Sequence, residues 1–193
     1  MEALTLYSFS TENWGRPPEE VDALMGLLVH FLEAERKLML DENIRLQVSG
    51  EAERLVPAAR AALERTMQAT AHCDGMVLNL ALSYGARQEL VRACRQLAAA
   101  AVAGEIAPES IAEADIETRL YTAGLPELDF VIRTAGEQRL SNFLLWQVAY
   151  AEFYVADIAW PEFREREFES ALAVFQNRER RYGLTSAQAR GTA

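Results

Sequence analysis

Two arginines, Arg133 and Arg139, bracket the turn Thr134-Ala135-Gly136-Glu137-Gln138, and Leu140 and Ser141 follow at once. Guanidinium forks match the paired oxygens of phosphates, and a flexible Ala-Gly turn lets two of them face one anion. Ser141 precedes the apolar run Phe143-Leu144-Leu145-Trp146 and stands where a helix N-cap belongs. Its hydroxyl and the free backbone N–H groups behind it would then meet an anion at the positive end of a helix. The segment reads as an anion cradle. The plainer alternative is an ordinary cap beside two surface ion pairs, the usual fate of loop arginines, and spacing alone does not separate the two. A second polar cluster, Ser10-Thr11-Glu12-Asn13-Trp14-Gly15-Arg16, places several hydrogen-bonding groups beside a positive charge. Its alternative is a turn of polar residues with Trp14 covering the core.

Both clusters follow strand-like stretches. Residues 3–9 alternate and are rich in Leu, Tyr and Phe, as a strand should be. The spacing predicts a helix from Pro17 to about Asp41, with prolines and acidic residues in its first turn and Val21, Leu24, Leu28, Phe31 and Leu32 at helical intervals. Strands follow at 44–48, 76–82, 129–133 and 153–158, and helices at 56–72 with Pro57 in the first turn and at 86–103, closed by Gly104. Short helical turns are expected near Pro108 and at 116–121, a short apolar helix at 141–150, and a terminal amphipathic helix from Pro161 to about Arg181. Such alternation predicts an α/β fold with a mainly parallel central sheet and helices on both faces. Ligands of these sheets bind beyond the carboxyl ends of the strands, where both polar clusters fall.

The chain has 193 residues, with 19 Lys plus Arg against 29 Asp plus Glu, a net charge of −10 and 50% hydrophobic residues. These figures describe one soluble globular domain over 1–193, with about 184–193 as a tail. The acidic balance argues against nucleic acid as a partner. The longest apolar run, residues 97–103, is far short of the ~20 residues that span a bilayer. No basic stretch follows Met1 to suggest a secretory signal, so the expected location is cytoplasmic. Cys73 and Cys94 lack CxxC spacing and read as buried thiols. His30 and His72 take no role.

The strings at residues 6–17 (Leu-Tyr-Ser-Phe-Ser-Thr-Glu-Asn-Trp-Gly-Arg-Pro), 83–87 (Ser-Tyr-Gly-Ala-Arg) and 132–147 (Ile-Arg-Thr-Ala-Gly-Glu-Gln-Arg-Leu-Ser-Asn-Phe-Leu-Leu-Trp-Gln) are long and chemically unusual. With residues 150–154, Trp160-Pro161 and 177–183, they resemble the undecaprenyl diphosphate synthases, the cis-prenyltransferases, in order along essentially the whole chain. The resemblance implies a transferase that adds isopentenyl diphosphate units in cis to an allylic diphosphate such as farnesyl diphosphate, with Mg2+, making a polyprenyl diphosphate such as the undecaprenyl carrier lipid. By position, Arg133, Arg139, Leu140 and Ser141 would hold isopentenyl diphosphate, and Glu152 would be a magnesium ligand. Ser10, Thr11, Glu12, Trp14 and Arg16 would border the allylic end. Asn13 stands where the family assists proton removal; an amide has no useful pKa near neutrality, so it would act by orienting an acceptor. Gln138 stands where many members carry histidine. Arg181-Tyr182-Gly183 matches an Arg-x-Gly tail that implies a homodimer with the tail reaching the partner's site. The product would be delivered to a membrane.

Two expectations come from departures and overlaps. The family's Asp-Gly-Asn-Gly-Arg-Trp phosphate loop, with its magnesium-binding aspartate, has no counterpart here, and the chain opens where the family's second strand opens. A truncated reading frame is expected, with these 193 residues inactive by themselves. A non-catalytic subunit of a heteromeric enzyme and a generic phosphometabolite-binding domain are the alternatives. For Leu24, Leu28, Phe31 and Leu78, core packing is expected in preference to lining a product tunnel.

Overall fold

A computed structural model describes residues 1–178 and contains two compact units, the first Met1–Pro126 and the second beginning at Glu127. In the first unit, β1 (Ala3–Ser10), β2 (Arg45–Ser49) and β3 (Val77–Tyr84) form a parallel sheet in the order β1-β3-β2. The central strand is buried at all eight positions, which is why its sequence is a nearly unbroken apolar run. Asn79 and Ser83 are the exceptions. The Asn79 carboxamide reaches Thr5 Oγ1 at 3.1 Å on one side and Ser49 Oγ at 3.0 Å on the other, tying the three strands together. An Asn79→Ala chain should lose about 2 kcal/mol, because two hydroxyls lose a partner in the interior; the midpoint of urea unfolding measures it.

The helices follow the apolar spacing. α1 (Pro18–Ala34) starts with Pro18 and has Glu19 and Glu20 in its first turn, where the free N–H groups favour acidic residues, and buries Val21, Met25 and Leu32. α3 (Pro57–Thr70) buries Ala59, Ala62, Leu63, Thr66 and Thr70. α1 and α3 pack against each other, and their apolar faces join Phe9, Leu46, Leu78, Leu80 and Leu82 in one core. α4 (Ala86–Val102) closes at Gly104, whose φ of +73° suits a left-handed stop. Gly50 has φ +121°, and a Cβ there would lie 2.1 Å from the Leu82 carbonyl oxygen, so only glycine lets the end of β2 approach β3 this closely. α5 (Glu113–Glu117) completes the unit.

The second unit holds a parallel pair, β4 (Phe130–Arg133) and β5 (Glu152–Val155), with Phe130 opposite Glu152 and Arg133 opposite Val155. α6 (Glu165–Gln176) lies on this pair, with the Phe130 and Phe175 rings 4.9 Å apart. The parallel strands and alternating helices bear out the α/β class.

Several boundaries differ from expectation. The helix foreseen over 17–41 is two, since Glu35 (φ −90°, ψ −4°) separates α1 from α2 (Arg36–Asp41). No apolar helix runs over 141–150. Ser141, Asn142 and Leu144 take left-handed φ values of 49°, 60° and 47°, and only Gln147–Tyr150 forms a 3-10 turn. The terminal helix is shorter than predicted, because a separate 3-10 turn at Trp160–Glu162 precedes it. Cys73 is buried but Cys94 is exposed, on the outer face of α4. Leu78 lies in the core and Leu24 and Leu28 pack against it, whereas Phe31 is 37% exposed. Helical spacing marks a stripe, and only the neighbours in space decide how much of its edge is covered. The predicted tail and the Arg181-Tyr182-Gly183 motif lie outside the described residues.

Candidate functional site

In the first unit, the chain leaves β1 directly into a 3-10 turn, Thr11–Gly15. Asn13 shapes that turn: its Oδ1 accepts the Ser10 backbone N–H at 2.8 Å. Asn13 therefore spends its carbonyl on the turn and keeps its amide N–H groups as donors, in keeping with an orienting role rather than that of a base. The Thr11 hydroxyl donates to Glu12 Oε2 at 3.2 Å. Trp14 faces inward, its Nε1–H donating to Ser83 Oγ at 2.9 Å and its ring meeting Phe9 edge-on at 4.9 Å. The Arg54 guanidinium covers it at 5.5 Å. Covering the core thus occupies Trp14. Arg16 pairs with Glu20 at 2.6 Å, one helical turn ahead on α1, a half-exposed pair worth little to stability.

A cleft of about 620 Å³ opens beyond the ends of β2 and β3, with Glu51 and Glu53 on one wall and Arg87, Arg92 and Arg95 of α4 opposite. Tyr121 closes it under the Arg92 guanidinium, 4.2 Å from the ring centroid. Burial raises the Tyr121 phenol above its ordinary pKa, opposed by Arg92. Beneath it Glu89, 1% exposed, accepts the Tyr84 hydroxyl at 2.6 Å and the Tyr121 N–H at 2.7 Å. Glu89 is inconspicuous in the sequence. The i,i+5 spacing from Tyr84 across a helix start was its only signal.

In the second unit, the turn after β4 is pinned by its backbone. The Ala135 and Gly136 N–H groups donate to Ile158 and Ala156 carbonyls at 2.7 and 3.0 Å, with both residues left-handed (φ 62° and 64°). Those N–H groups serve the fold and are not offered to an anion. Ser141 starts no helix, so the expected contribution of a helix N-terminus is absent there. Side chains alone make the cradle. Arg133 Nη2 lies 3.5 Å from Ser141 Oγ and 3.9 Å from Glu137 Oε2, and Arg139 Nη1 meets the same Glu137 oxygen. Arg133 and Glu137 are each about one-third exposed and Arg139 two-thirds. Leu140 is partly buried in the same loop, and its carbonyl accepts the Phe143 N–H. Gln138 is exposed. Glu137 was not singled out from the sequence, although its place four residues after Arg133 and two before Arg139 was visible there.

Glu152 is not part of this group. It stands opposite Phe130 at the start of the strand pair, three residues before the level of Arg133, or about 10 Å at ~3.3 Å per residue. Its carboxylate accepts from Arg178 Nη1 at 2.5 Å and is about one-quarter exposed. A reachable carboxylate suits a hard cation, and Mg2+ is commonly held by one or two carboxylates plus substrate phosphates. Among the described residues no group of three His, Cys, Asp or Glu is placed to hold a metal. No helix among them is long and apolar enough to cross a membrane.

Comparisons with known proteins agree over the whole of this frame. Residues 1–183 match the family described as "Putative undecaprenyl diphosphate synthase". An isoprenyl transferase of Geobacter sulfurreducens is 47% identical over 185 residues, covering 96% of this chain and 75% of that protein. A (2E,6E)-farnesyl-diphosphate-specific ditrans,polycis-undecaprenyl-diphosphate synthase of Salmonella typhimurium is 46% identical, with 96% and 73% covered. Among solved structures, lavandulyl diphosphate synthase from Lavandula x intermedia, in complex with dimethylallyl diphosphate, matches with a TM-score of 0.91 at 34% identity, over 95% of this chain and 79% of that one. A probable undecaprenyl diphosphate synthase from Campylobacter jejuni matches with a TM-score of 0.81 at 36% identity, over 94% and 83%. With a family match along nearly its full length and relatives this similar, the chain belongs to the undecaprenyl diphosphate synthase family of cis-prenyltransferases.

Proposed function

We propose that this chain binds isopentenyl diphosphate through Arg133, Arg139 and Ser141, for cis addition to an allylic diphosphate such as farnesyl diphosphate. The observation that carries this reading is that two guanidiniums gather around a single carboxylate, Glu137, with the Ser141 hydroxyl beside one of them. An anion with paired oxygens is what such forks recognise. Leu140 supports the loop from its partly buried position, and Ser10, Thr11, Glu12 and Arg16 border the allylic end, with Trp14 behind them holding the turn to the core. In the reaction the allylic C–O bond breaks and its electron pair leaves with the diphosphate. The isopentenyl double bond supplies the electrons of the new C–C bond, and one proton is lost to close the new double bond. Asn13, anchored through its carbonyl, uses its N–H groups to orient the acceptor of that proton.

Mg2+ would be held by Glu152 in place of its Arg178 partner, and when bound it supplies positive charge to diphosphate oxygens. The separation of Glu152 from Arg133 along β4 and β5 keeps this role apart from the arginine cradle within one chain. We further propose a homodimer, with the product passed from a cytoplasmic enzyme to a membrane.

Calorimetric titration of isopentenyl diphosphate into the chain tests the binding reading. Saturable one-to-one binding is expected, weakened about tenfold by Ser141→Ala, the size of one hydrogen bond to a charged group. Equal affinity in the two proteins would remove Ser141 from the site.

A further inference from the structure

Glu137 takes no part in the chemistry above, yet it occupies the centre of the cradle. We propose that Glu137 sets the affinity for isopentenyl diphosphate: its carboxylate holds the place between Arg133 and Arg139 that the diphosphate must take. This rests on the binding reading above.

The geometry carries the argument. Glu137 Oε2 lies 3.9 Å from Arg133 Nη2 and touches Arg139 Nη1, while Ser141 Oγ lies 3.5 Å from the same Arg133 nitrogen. Both proposed guanidinium contacts therefore converge on one internal anion, and the third contact, Ser141, lies beside Arg133. The turn beneath is held by its own backbone, with the Glu137 N–H on the Thr134 carbonyl at 3.4 Å and the Gly136 N–H on Ala156. These backbone bonds do not depend on the Glu137 side chain. Two cations brought together repel, and a carboxylate between them keeps both forks turned inward before substrate arrives. That same carboxylate opposes the substrate. If it stays, it faces the diphosphate as a like charge; if it leaves, two ion pairs break. Either way its negative charge weakens binding, and more so the higher the charge of the ligand.

The test titrates isopentenyl diphosphate, and separately isopentenyl monophosphate, into the wild-type chain and its Glu137→Gln, Glu137→Ala and Arg139→Ala variants by calorimetry. Glutamine keeps the shape and removes the charge, and alanine guards against an amide that finds a new partner. Both Glu137 variants are expected to bind the diphosphate about tenfold more tightly. The gain should be smaller for the monophosphate and should shrink as KCl is raised. A merely structural Glu137 would move both ligands alike and in the weaker direction. If the wild type binds, Arg139→Ala weakens binding, and the Glu137 variants bind no better than wild type, the Glu137 proposal is overturned while the site stands. If neither the wild type nor a Glu137 variant binds, or Arg139→Ala binds as the wild type does, the site reading itself falls and the proposal with it.

Discussion

Incubated with farnesyl diphosphate, labelled isopentenyl diphosphate and Mg2+, these 193 residues alone are expected to leave no label in a butanol extract. The difficult step is departure of the allylic diphosphate, which leaves negative charge on its oxygens. Preorganised positive groups lower that barrier, and a single oxyanion donor is worth roughly 10²–10³ in rate. In the family the chain resembles, the Asp-Gly-Asn-Gly-Arg-Trp loop supplies both an arginine and the magnesium-binding aspartate. No such string occurs in this sequence. Among the described residues no group of three His, Cys, Asp or Glu is placed to hold a metal. Losing several stabilising groups together puts turnover below detection. A longer polypeptide in which a segment bearing that loop precedes Met1 is the control, and label appearing there but not here is the expected pattern. Clear turnover by the 193 residues would show that the charge is neutralised by groups already present.

The second large effect belongs to the arginines. Arg133→Ala and Arg139→Ala should each weaken isopentenyl diphosphate binding about ten- to a hundredfold, since a hydrogen bond to a charged group contributes roughly 1.5–3 kcal/mol. Arg133 should sit at the upper end. It is one-third exposed against two-thirds for Arg139, and a less solvated charge interacts more strongly with its partner. It also lies beside Ser141 Oγ, so its loss removes the hydroxyl's neighbour as well. Farnesyl diphosphate, assigned to the loop after β1, should lose much less. Arg→Lys at either position should recover only part of the loss, because a point charge cannot present two parallel N–H groups. Equal losses for both ligands would mean that the arginines serve the fold or the wrong substrate.

Much of the frame was legible from residue order because its causes are local. Pro17-Pro18-Glu19-Glu20 opens a helix by backbone restriction and by charge at free N–H groups, and α1 begins at Pro18. A nearly continuous apolar run requires a strand covered on both faces, and β3 is buried throughout. The loops at 10–16 and 133–141 were marked by residue types that have little reason to cluster unless they meet a charged ligand or one another.

What tertiary structure decided was which of these groups touch. A left-handed φ at Ser141, Asn142 and Leu144 cancels the helix that the apolar run suggested, and no side-chain periodicity reports it. Strand register sets Glu152 opposite Phe130 rather than Arg133, although both are in plain view in the sequence. Trp14 turns inward because Ser83 and Phe9, supplied by two different strands, offer it a hydrogen-bond acceptor and an aromatic edge. Arg133 and Arg139 meet at Glu137 because the turn between them is pinned to carbonyls of Ala156 and Ile158, some twenty residues further along the chain. Periodicity and capping are properties of a few consecutive residues. The choice of partner for a charge or an indole depends on what the rest of the fold brings within 3–4 Å, where hydrogen bonds and ion pairs take their strength.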